Sequence, residues 1–413
     1  MFNTVDIAVI GGGASGLLAA ITAKRQDKTK KVCIFEGLDR VGKKLITTGN
    51  GRCNITNKEI SLSRFHGDRV DFAEYALGKY SGRALEEFFL SVGIPFVNEG
   101  NKIFPASLQA SSVVDCIRFE CERLGVEILC GKKIEKIVSG KSFTLISGNE
   151  KFSAKTVICC GGLYSGGDKV GSDGSLFRIL KDMGYKTVKL SPSIVQLKTE
   201  TDFVKQLKGI KVDAKVTLHK EGKPIKSEFG EVLFCDYGLS GPAVMNISRD
   251  AAREERGFSV WLDLFPHLSK EALHKVLKER RELLKERNLE EFFTGMINKR
   301  LGQVALKYSG YKLSERVGSL ADKDLEKIAF ALKAFEFKVT GNTGFINSQA
   351  TAGGISTSEF SEKTLMSKKH SGLFACGEML DIDGDCGGFN LTWAFASGIL
   401  AAESAVKFLG EFT

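Results

Sequence analysis

Residues 5–16 read V-D-I-A-V-I-G-G-G-A-S-G, a short apolar run followed by a glycine-rich turn. The chain continues with an apolar, helix-like run over residues 17–25 and a second β-type run over residues 31–35, which ends at Glu36. This is a G-x-G-x-x-G motif between a strand and a helix, with an acidic residue 20 positions after the last glycine. The stretch therefore predicts a βαβ unit that binds a dinucleotide, in preference to a chance glycine-rich turn.

The residue types within this unit predict separate roles. Gly11 permits a tight turn, Gly13 lets the backbone approach a pyrophosphate, and Gly16 allows the helix to pack closely on the strand. The start of the helix offers N–H groups and the positive end of its dipole to the phosphates. A carboxylate at position 36 accepts hydrogen bonds from ribose hydroxyl groups and repels a 2′-phosphate. The cofactor contacts predicted for this unit are Gly11, Gly13, Ala14, Ser15, Gly16 and Glu36.

The composition is that of a globular protein larger than one compact core. Its 413 residues predict two or more domains. The net charge of +9 comes from 59 basic and 50 acidic residues spread along the chain, which favours small anionic ligands over nucleic acid. The first residues lack signal-peptide features, and no apolar run is long enough to cross a bilayer. The ten cysteines form no C-x-x-C pair and no metal-ligand spacing, so we expect a reduced, cytoplasmic protein without a metal site.

The hydrophobic pattern changes twice along the chain. After about residue 190, apolar and polar residues alternate as in half-buried antiparallel strands, and from about residue 267 the pattern becomes that of charged amphipathic helices. Glycine-rich segments and a buried-strand pattern return near residue 340. We therefore predict an α/β fold in which a Rossmann-like domain of residues 1–190 and 340–413 is interrupted by an insert of residues 191–339, β-rich over 191–266 and helical over 267–339.

A βαβ unit of this kind binds either a nicotinamide dinucleotide or FAD, and the last part of the chain indicates which of the two to expect. A short buried strand over residues 372–378 leads to G-G-F-N at 387–390, which opens an apolar helix over residues 391–408. FAD is extended, so its ring system needs a second backbone cradle, where helix N–H groups face the ring edge that gains negative charge on reduction. The simpler alternative is a helix capped by a glycine-rich turn. The predicted contacts are Gly377, Glu378, Gly387, Gly388, Phe389, Asn390 and Leu391.

Several motifs beyond the βαβ unit make the chain similar to one known family. It resembles a bacterial family of single-chain, NAD(P)/FAD-dependent oxidoreductases that includes aminoacetone oxidase and a reductase of bile-acid dehydroxylation. The resemblance implies a Rossmann-like FAD-binding domain interrupted by a β-barrel-like plus helical insert. The matching segments run in order over nearly the whole chain: 11–16, 43–45 with 48–54, 104–105, 161–162, 238–242, 351–354 and 377–394.

One segment departs from the family pattern. After Gly161-Gly162, members of the family carry a proline and a T-G-[ST]-T-G-D-G run, whereas residues 163–174 here read L-Y-S-G-G-D-K-V-G-S-D-G. The S-D-G end is kept and the preceding loop is not. The flavin or substrate contacts of residues 163–172 are therefore left open.

The polar loop 47–54 reads T-T-G-N-G-R-C-N. The resemblance implies that it wraps the FAD pyrophosphate and the flavin edge, with glycine N–H groups turned inward and with Arg52 or Lys44 balancing phosphate charge. The alternatives are a plain polar turn and a nucleophilic Cys53, although Cys53 has no histidine and no resolving cysteine nearby in sequence. The contacts implied here and in the neighbouring motifs are Lys43, Lys44, Thr48, Gly49, Asn50, Gly51, Arg52, Cys53, Asn54, Ile134, Gly161, Gly162 and Asp173.

These features together predict an FAD-dependent oxidoreductase with noncovalent FAD, which transfers a hydride between the flavin and a small organic substrate such as an amine or an enone. A single glycine motif leaves the second redox partner open: NAD(P)H can dock transiently, or the substrate can reduce the flavin and oxygen reoxidise it. The alternatives are an FAD-containing RNA-modifying enzyme and a flavin-binding electron carrier. No catalytic residue, nucleic-acid partner or membrane partner is predicted, the oligomeric state is open, and the five histidines are expected at the surface.

Overall fold

The computed structural model describes residues 3–254 and 256–411. Contacts divide the chain into two compact units: one comprises the described residues up to Pro192 and from Phe345 onward, and the other spans Ser193–Gly344. Each unit encloses its own cluster of buried apolar side chains. The predicted boundaries between the FAD-binding domain and the insert, at residues 190/191 and 339/340, stay predictions.

The first unit begins with the βαβ stretch and carries most of its elements before the insert. Its strands there are β1 (Asn3–Ile10), β2 (Val32–Glu36), β3 (Thr56–Asn57), β4 (Phe65–His66), β5 (Phe96–Glu99), β6 (Lys102–Pro105), β7 (Glu127–Cys130), β8 (Lys136–Val138), β9 (Phe143–Ser147), β10 (Glu150–Cys159) and β11 (Thr187–Ser193). Its helices there are α1 (Ala14–Gln26), α2 (Lys43–Thr47), α3 (Glu74–Tyr80), α4 (Arg83–Ser91), α5 (Ala110–Arg123) and α6 (Ser175–Asp182).

The second unit contains a closed barrel and helices. Its strands are β12 (Leu197–Thr199), β13 (Lys211–Lys220), β14 (Lys223–Phe234), β15 (Gly238–Ser240), β16 (Phe258–Asp263) and β17 (Phe335–Asn342), which close in the order β12-β15-β14-β13-β16-β17. Its helices are α7 (Pro242–Glu254), α8 (Lys270–Leu284), α9 (Lys299–Tyr308) and α10 (Asp322–Lys333). The barrel implied by the family resemblance is confirmed.

The division of the insert into a β-rich part and a helical part stays a prediction, and each part also contains an element of the other type. Residues 335–339 fall in the part predicted as helical, yet they belong to β17, which pairs with both β16 and β12. Closure of a barrel needs this last strand because it removes both free edges, and Phe335 and Phe337 point into the core. Conversely, α7 lies within the part predicted as β-rich.

After the insert the chain returns to the first unit with β18 (Ala350–Ile355), β19 (Leu373–Ala375), β20 (Asp383–Gly384) and α11 (Phe389–Glu411). The main sheet has the order β7-β2-β1-β10-β9-β8, and β19 adds to β10. Strands β7, β2, β1, β10 and β19 run parallel. Ligands of such sheets bind at the carboxyl ends of the strands. The loops after β1, β2, β10 and β19 therefore share one edge, although more than 300 residues separate the first from the last.

Helices α1 and α11 pack closely beside this edge. A methyl group added at Gly398 would lie 2.4 Å from the carbonyl oxygen of Ser15, so the two helix backbones approach each other where only glycine fits. Nearly all of α1 is buried, which explains its apolar sequence. None of the helices within the described ranges has the length and apolar character needed to cross a membrane.

Candidate functional site

The glycine loop after β1 shows why each of its glycines is needed. Gly11 has φ +104°, and a methyl group added there would lie 2.7 Å from the carbonyl oxygen of Cys160 on the neighbouring strand. A methyl group at Gly16 would lie 1.9 Å from the Gly11 carbonyl oxygen. At Gly13, by contrast, no described atom lies within 4 Å of such a methyl group. Gly11 thus permits the turn, Gly16 permits the packing, and Gly13 leaves the backbone open to a ligand.

Glu36, at the end of β2, is held against this loop. Its Oε2 accepts a hydrogen bond of 2.8 Å from the N–H of Gly12, and its Oε1 accepts one of 2.9 Å from the N–H of Leu38. A carboxylate oxygen has two lone pairs, so each oxygen can accept a second hydrogen bond. The carboxylate is thus fixed beside the glycine loop with capacity for ribose hydroxyl groups, and its binding of ribose stays a prediction.

The loop 47–54 has an unusual backbone. Gly49, Asn50, Gly51 and Cys53 have φ values of +57°, +56°, +81° and +58°, in the region that non-glycine residues seldom adopt. The Cys53 side chain is fully buried, and this burial raises the pKa of its thiol to about 12. At neutral pH the thiol is therefore protonated, and the environment does not favour a nucleophilic Cys53.

Asn54 supplies a test of whether this loop fits a bound flavin. The residue is only 8% exposed, and its Oδ1 has no hydrogen-bond partner within residues 3–254 and 256–411. A buried acceptor without a partner costs about 1–3 kcal/mol. A ring N–H of a bound cofactor would satisfy this oxygen, so the loop fits the predicted group.

The two cations predicted to balance phosphate charge are both paired with acids. Lys44 Nζ lies 2.7 Å from Glu378 Oε2. Arg52 pairs with Glu99 at the surface, and its guanidinium lies 4.4 Å from the centre of the Phe104 ring. A role of either cation toward phosphate stays a prediction. Lys44 pairs with another predicted contact, Glu378, whereas the partner of Arg52, Glu99, is not one of the predicted contacts.

Glu378 is the centre of a polar cluster that the sequence did not predict. Its Oε1 accepts hydrogen bonds from the N–H of Thr351 at 2.9 Å and from the hydroxyl of Ser165 at 2.7 Å. Ser165 is fully buried and also binds Lys44. Ser165 belongs to the loop that departs from the family pattern. That loop therefore contributes to the site, and Thr351, in the shared T-A-G-G motif, was a signal that the sequence analysis did not use.

The remaining predicted contacts lie around these groups. Gly162 has φ +64°, and a methyl group there would lie 3.7 Å from Glu378 Oε2; one at Gly161 would lie 2.9 Å from Leu176. Ile134 is buried. Asp173 pairs with Lys133 and accepts a hydrogen bond from the N–H of Ser175. Burial by itself raises the pKa of the Asp173 carboxyl, but the hydrogen bonds and the Lys133 charge outweigh it and hold the pKa below its ordinary value. Cofactor contacts of all four stay predictions.

The start of α11 meets the segment that follows the 47–54 loop. Gly388 has φ +99°, and a methyl group there would lie 2.7 Å from backbone atoms of Thr56. The side-chain amide of Asn57 donates to the Gly387 carbonyl at 2.9 Å. The amide of Asn390 bonds both the N–H and the carbonyl of Gly384, at 2.9 and 2.7 Å. The structure therefore brings the predicted second cradle to β3, which follows the predicted cofactor loop. Phe389 is buried and Leu391 partly buried there.

The expectation that the histidines lie at the surface was wrong for His219, which is buried, whereas His66 and His370 are partly exposed and each contacts another side chain. His66 Nε2 lies 2.9 Å from Asp385 Oδ1. His219 is buried, with its ring centre 4.3 Å from that of Trp261, and His370 Nδ1 lies 2.9 Å from the Tyr185 hydroxyl. Each contact joins residues far apart in sequence, so no local pattern indicated it.

A family model described as HI0933-like protein Rossmann domain matches residues 5–404. The chain belongs to the HI0933-like family. Among similar HI0933-like relatives is the 3-dehydro-bile acid delta(4,6)-reductase of Clostridium scindens, 34% identical over 97% of this chain and 99% of the relative. The ribosomal RNA dihydrouridine synthase of Haemophilus influenzae is 27% identical over 96% of this chain and 97% of the relative.

A solved structure shares the fold at low sequence identity. It is the 3-ketosteroid-delta4-(5alpha)-dehydrogenase of Rhodococcus jostii, 13% identical, with a TM-score of 0.50, covering 98% of this chain and 97% of that chain. The predicted membership of a family of bacterial FAD-dependent oxidoreductases, the Rossmann-like fold with a barrel insert, and the activity class of FAD-dependent oxidoreductase are confirmed.

Proposed function

We propose that this HI0933-like chain binds FAD noncovalently and reduces a carbon–carbon double bond conjugated to a carbonyl group in a small organic substrate. The observation that carries the proposal is the contact of Thr56 and Asn57, which follow the 47–54 loop, with the start of α11, in the same unit as the glycine loop and Glu36. Two separated backbone cradles suit a long dinucleotide better than a mononucleotide.

The substrate class rests on what the two relatives have in common. A 3-dehydro bile acid with a double bond at position 4 has that bond next to its ketone. Formation of dihydrouridine saturates a uracil double bond that is also conjugated to a carbonyl. The names of both relatives therefore support a conjugated carbonyl compound, such as an enone, as the substrate. An amine, the other substrate class expected from the sequence, has less support.

Different groups of residues would bind different parts of the cofactor. The glycine loop and the first turn of α1 would hold the phosphates, Glu36 the ribose, and Asn54 with Gly387–Gly388 the ring edge. Bound FAD supplies hydride transfer. The Lys44–Glu378 pair, with Ser165 and Thr351 on the same carboxylate, would keep the intervening backbone in place.

The test begins with the absorption spectrum of the purified protein, followed by anaerobic addition of NADH or NADPH and then of a cyclic enone such as a 4-ene-3-ketosteroid. We expect flavin maxima, bleaching by one nicotinamide, and recovery of the colour on addition of the enone. Acid denaturation should release all of the yellow colour as FAD. Colour left in the precipitate contradicts noncovalent binding, and a bleached flavin that only oxygen reoxidises contradicts the reductase.

A second candidate function is favoured by a specific observation. Ribosomal RNA dihydrouridine synthases of two bacteria match 96–97% of this chain, at 27% and 25% identity. We nevertheless propose a small molecule as the substrate, with neither nucleic acid nor a membrane as partner, in the cytoplasm, because the greater identity is to the bile acid reductase. Binding of ribosomal RNA measured at two salt concentrations separates the two functions, since phosphate contacts give a steep salt dependence.

A further inference from the structure

We propose that His66, held in place by Asp385, is the proton donor to the substrate atom next to the one that receives the hydride. The inference rests on the proposed function and adds a catalytic residue to it. The two residues come together because β4 and β20 pair antiparallel, with His66 opposite Asp383. The N–H of Asp385 then donates to the Arg64 carbonyl at 2.9 Å, which fixes the register beyond the strand ends.

The pair has the arrangement of an acid–base catalyst and its orienting group. Asp385 is buried, with 5% of its side chain exposed, whereas 27% of the His66 side chain is exposed. An ionised carboxylate only accepts hydrogen bonds, so Nε2–H of the imidazole donates to Oδ1 at 2.9 Å. Arg64 donates to the other oxygen, Oδ2, at 3.2 Å, so both oxygens of the Asp385 carboxylate accept hydrogen bonds.

This orientation leaves Nδ1 as the nitrogen that can exchange a proton. No described residue bonds the His66 Nδ1, and the partial exposure of the ring gives it access to a ligand or to water. In the imidazolium form Nδ1 is a donor, and in the neutral form it accepts a proton again. The histidine of an acid–base catalyst is oriented by a carboxylate in the same way.

The position of the pair connects it to the proposed cofactor cradle. Asp385 lies two residues before Gly387. Phe65, the neighbour of His66, packs edge-to-face on Phe389 with ring centres 5.9 Å apart, and the Arg64 guanidinium lies 5.7 Å from the Phe389 ring centre. The pair therefore belongs to the same packed cluster as the first turn of α11, where the ring edge of the flavin is proposed to bind.

The chemistry requires such a donor. Reduction of a conjugated double bond adds a hydride at the β-carbon and a proton at the α-carbon. Bound, reduced FAD would supply the hydride with its two electrons and would itself be oxidised, and Nδ1 of the His66 imidazolium would donate the proton. The resulting neutral imidazole regains a proton from water. Proton transfer by a positioned side chain contributes about 10²–10⁴-fold to a rate.

The alternative is that the ion pair only ties β4 to β20. Other acids lie close by: Asp383 is the strand partner of His66, and Asp381 Oδ2 accepts from the N–H of Asp68 at 2.8 Å. A purely structural pair would affect stability and both half-reactions alike. A catalytic histidine affects only the step in which the substrate is protonated.

The experiment measures the two half-reactions of the FAD-loaded protein separately by rapid mixing. In His66→Ala we expect reduction of the flavin by NADH or NADPH to stay within about twofold of wild type. Reoxidation by the cyclic enone should slow by about 100-fold or more. Added imidazole should restore part of that rate, and His66→Gln, which fills the same space, should be as slow as His66→Ala. The FAD dissociation constant and the thermal unfolding midpoint should stay close to those of wild type.

The control is His370→Gln, which removes a histidine bonded to Tyr185 in the same unit; its reoxidation by the enone should match wild type. Unchanged reoxidation in His66→Ala overturns the proposal, and so does an equal slowing of both half-reactions that imidazole does not restore. A wild-type protein that binds no FAD, or whose reduced flavin does not react with any enone, overturns the proposed function itself. The two failures are therefore distinguishable.

Discussion

Arg52 has two possible partners for its charge, the surface carboxylate of Glu99 and the predicted FAD phosphates. The guanidinium pairs with Glu99 and lies over the Phe104 ring, and the same residue stands in the loop implied to wrap FAD. A purely structural Arg52–Glu99 pair and a phosphate-binding Arg52 predict opposite effects on FAD affinity when Glu99 is removed. If Arg52 also attracts the FAD phosphates, Glu99 competes with them for its charge.

We therefore expect Arg52→Ala to weaken FAD binding by about tenfold, which corresponds to about 1.4 kcal/mol. Glu99→Ala should strengthen it by about threefold, because the guanidinium is released. Equilibrium quenching of flavin fluorescence on binding measures both. If both variants weaken binding to the same extent, the pair serves only to hold β5 beside the loop.

Cys53 gives a prediction of pH dependence. Burial raises the pKa of its thiol from an ordinary value of 9.0 to about 12. The unfolded chain therefore loses this proton at lower pH than the folded one, so the contribution to stability is complete below pH 9 and is lost as the pH rises toward 12. Stability measured by urea unfolding should fall over that window, and less so in Cys53→Ala, compared at equal FAD saturation.

The same burial predicts the reactivity of the thiols. At pH 7–8, an aromatic disulfide reagent should label the exposed Cys130 in the folded protein and label Cys53 only after unfolding. Turnover in Cys53→Ala should stay within a few-fold of wild type. Rapid labelling of Cys53 in the native protein, with loss of flavin reduction, would show that its thiol is accessible and catalytic.

At the scale of elements, the turn before α11 tolerates little change of side chain. Gly388 has φ +99° and faces the backbone of Thr56, so a methyl group there both strains the backbone and collides with β3. Backbone strain of this kind costs about 1–3 kcal/mol. Gly388→Ala should lower the thermal midpoint and weaken FAD binding by more than tenfold.

Gly410, in the same helix, is the matched control. A methyl group added there has no described atom within 4 Å. Alanine is the better helix former, so Gly410→Ala should leave the thermal midpoint unchanged or slightly higher and FAD binding unchanged. Equal effects of the two variants would mean that Gly388 serves only the helix and not the cradle.

The elements also show what sequence reasoning reached and what it missed. The strand, turn and helix around Gly11–Gly16 could be predicted because the constraints there are local: a turn, a close packing contact and a helix start. The Glu378 cluster and the His66–Asp385 pair could not, because each joins segments that meet only through strand pairing, β10 with β19 and β4 with β20. The closing barrel strand β17 was missed for the same reason, since barrel closure is a property of the whole sheet.

At the scale of the whole molecule, every predicted cofactor contact lies in the first of the two compact units. Its site contains a buried Asn54 oxygen that has no partner among the described residues, and backbone at Gly13 that is open in the described part of the chain. A ligand that fills such a site stabilises the folded state by mass action, by about 2.7 kcal/mol at a concentration 100 times its dissociation constant. Thermal unfolding of the FAD-free protein should therefore shift upward with added FAD and not with added FMN.

Hydrogen exchange measured by mass spectrometry can place that stabilisation within the molecule. Added FAD should slow the exchange of amides in residues 11–16, 47–54 and 387–390, because ligand contacts and the loss of local opening both protect backbone N–H groups. Peptides from α8, at the surface of the second unit, serve as the internal reference and should exchange equally with and without FAD. Protection of 11–16 without 387–390 would mean that the second cradle does not hold the cofactor, and the proposed place of the flavin ring beside His66 would then be wrong as well.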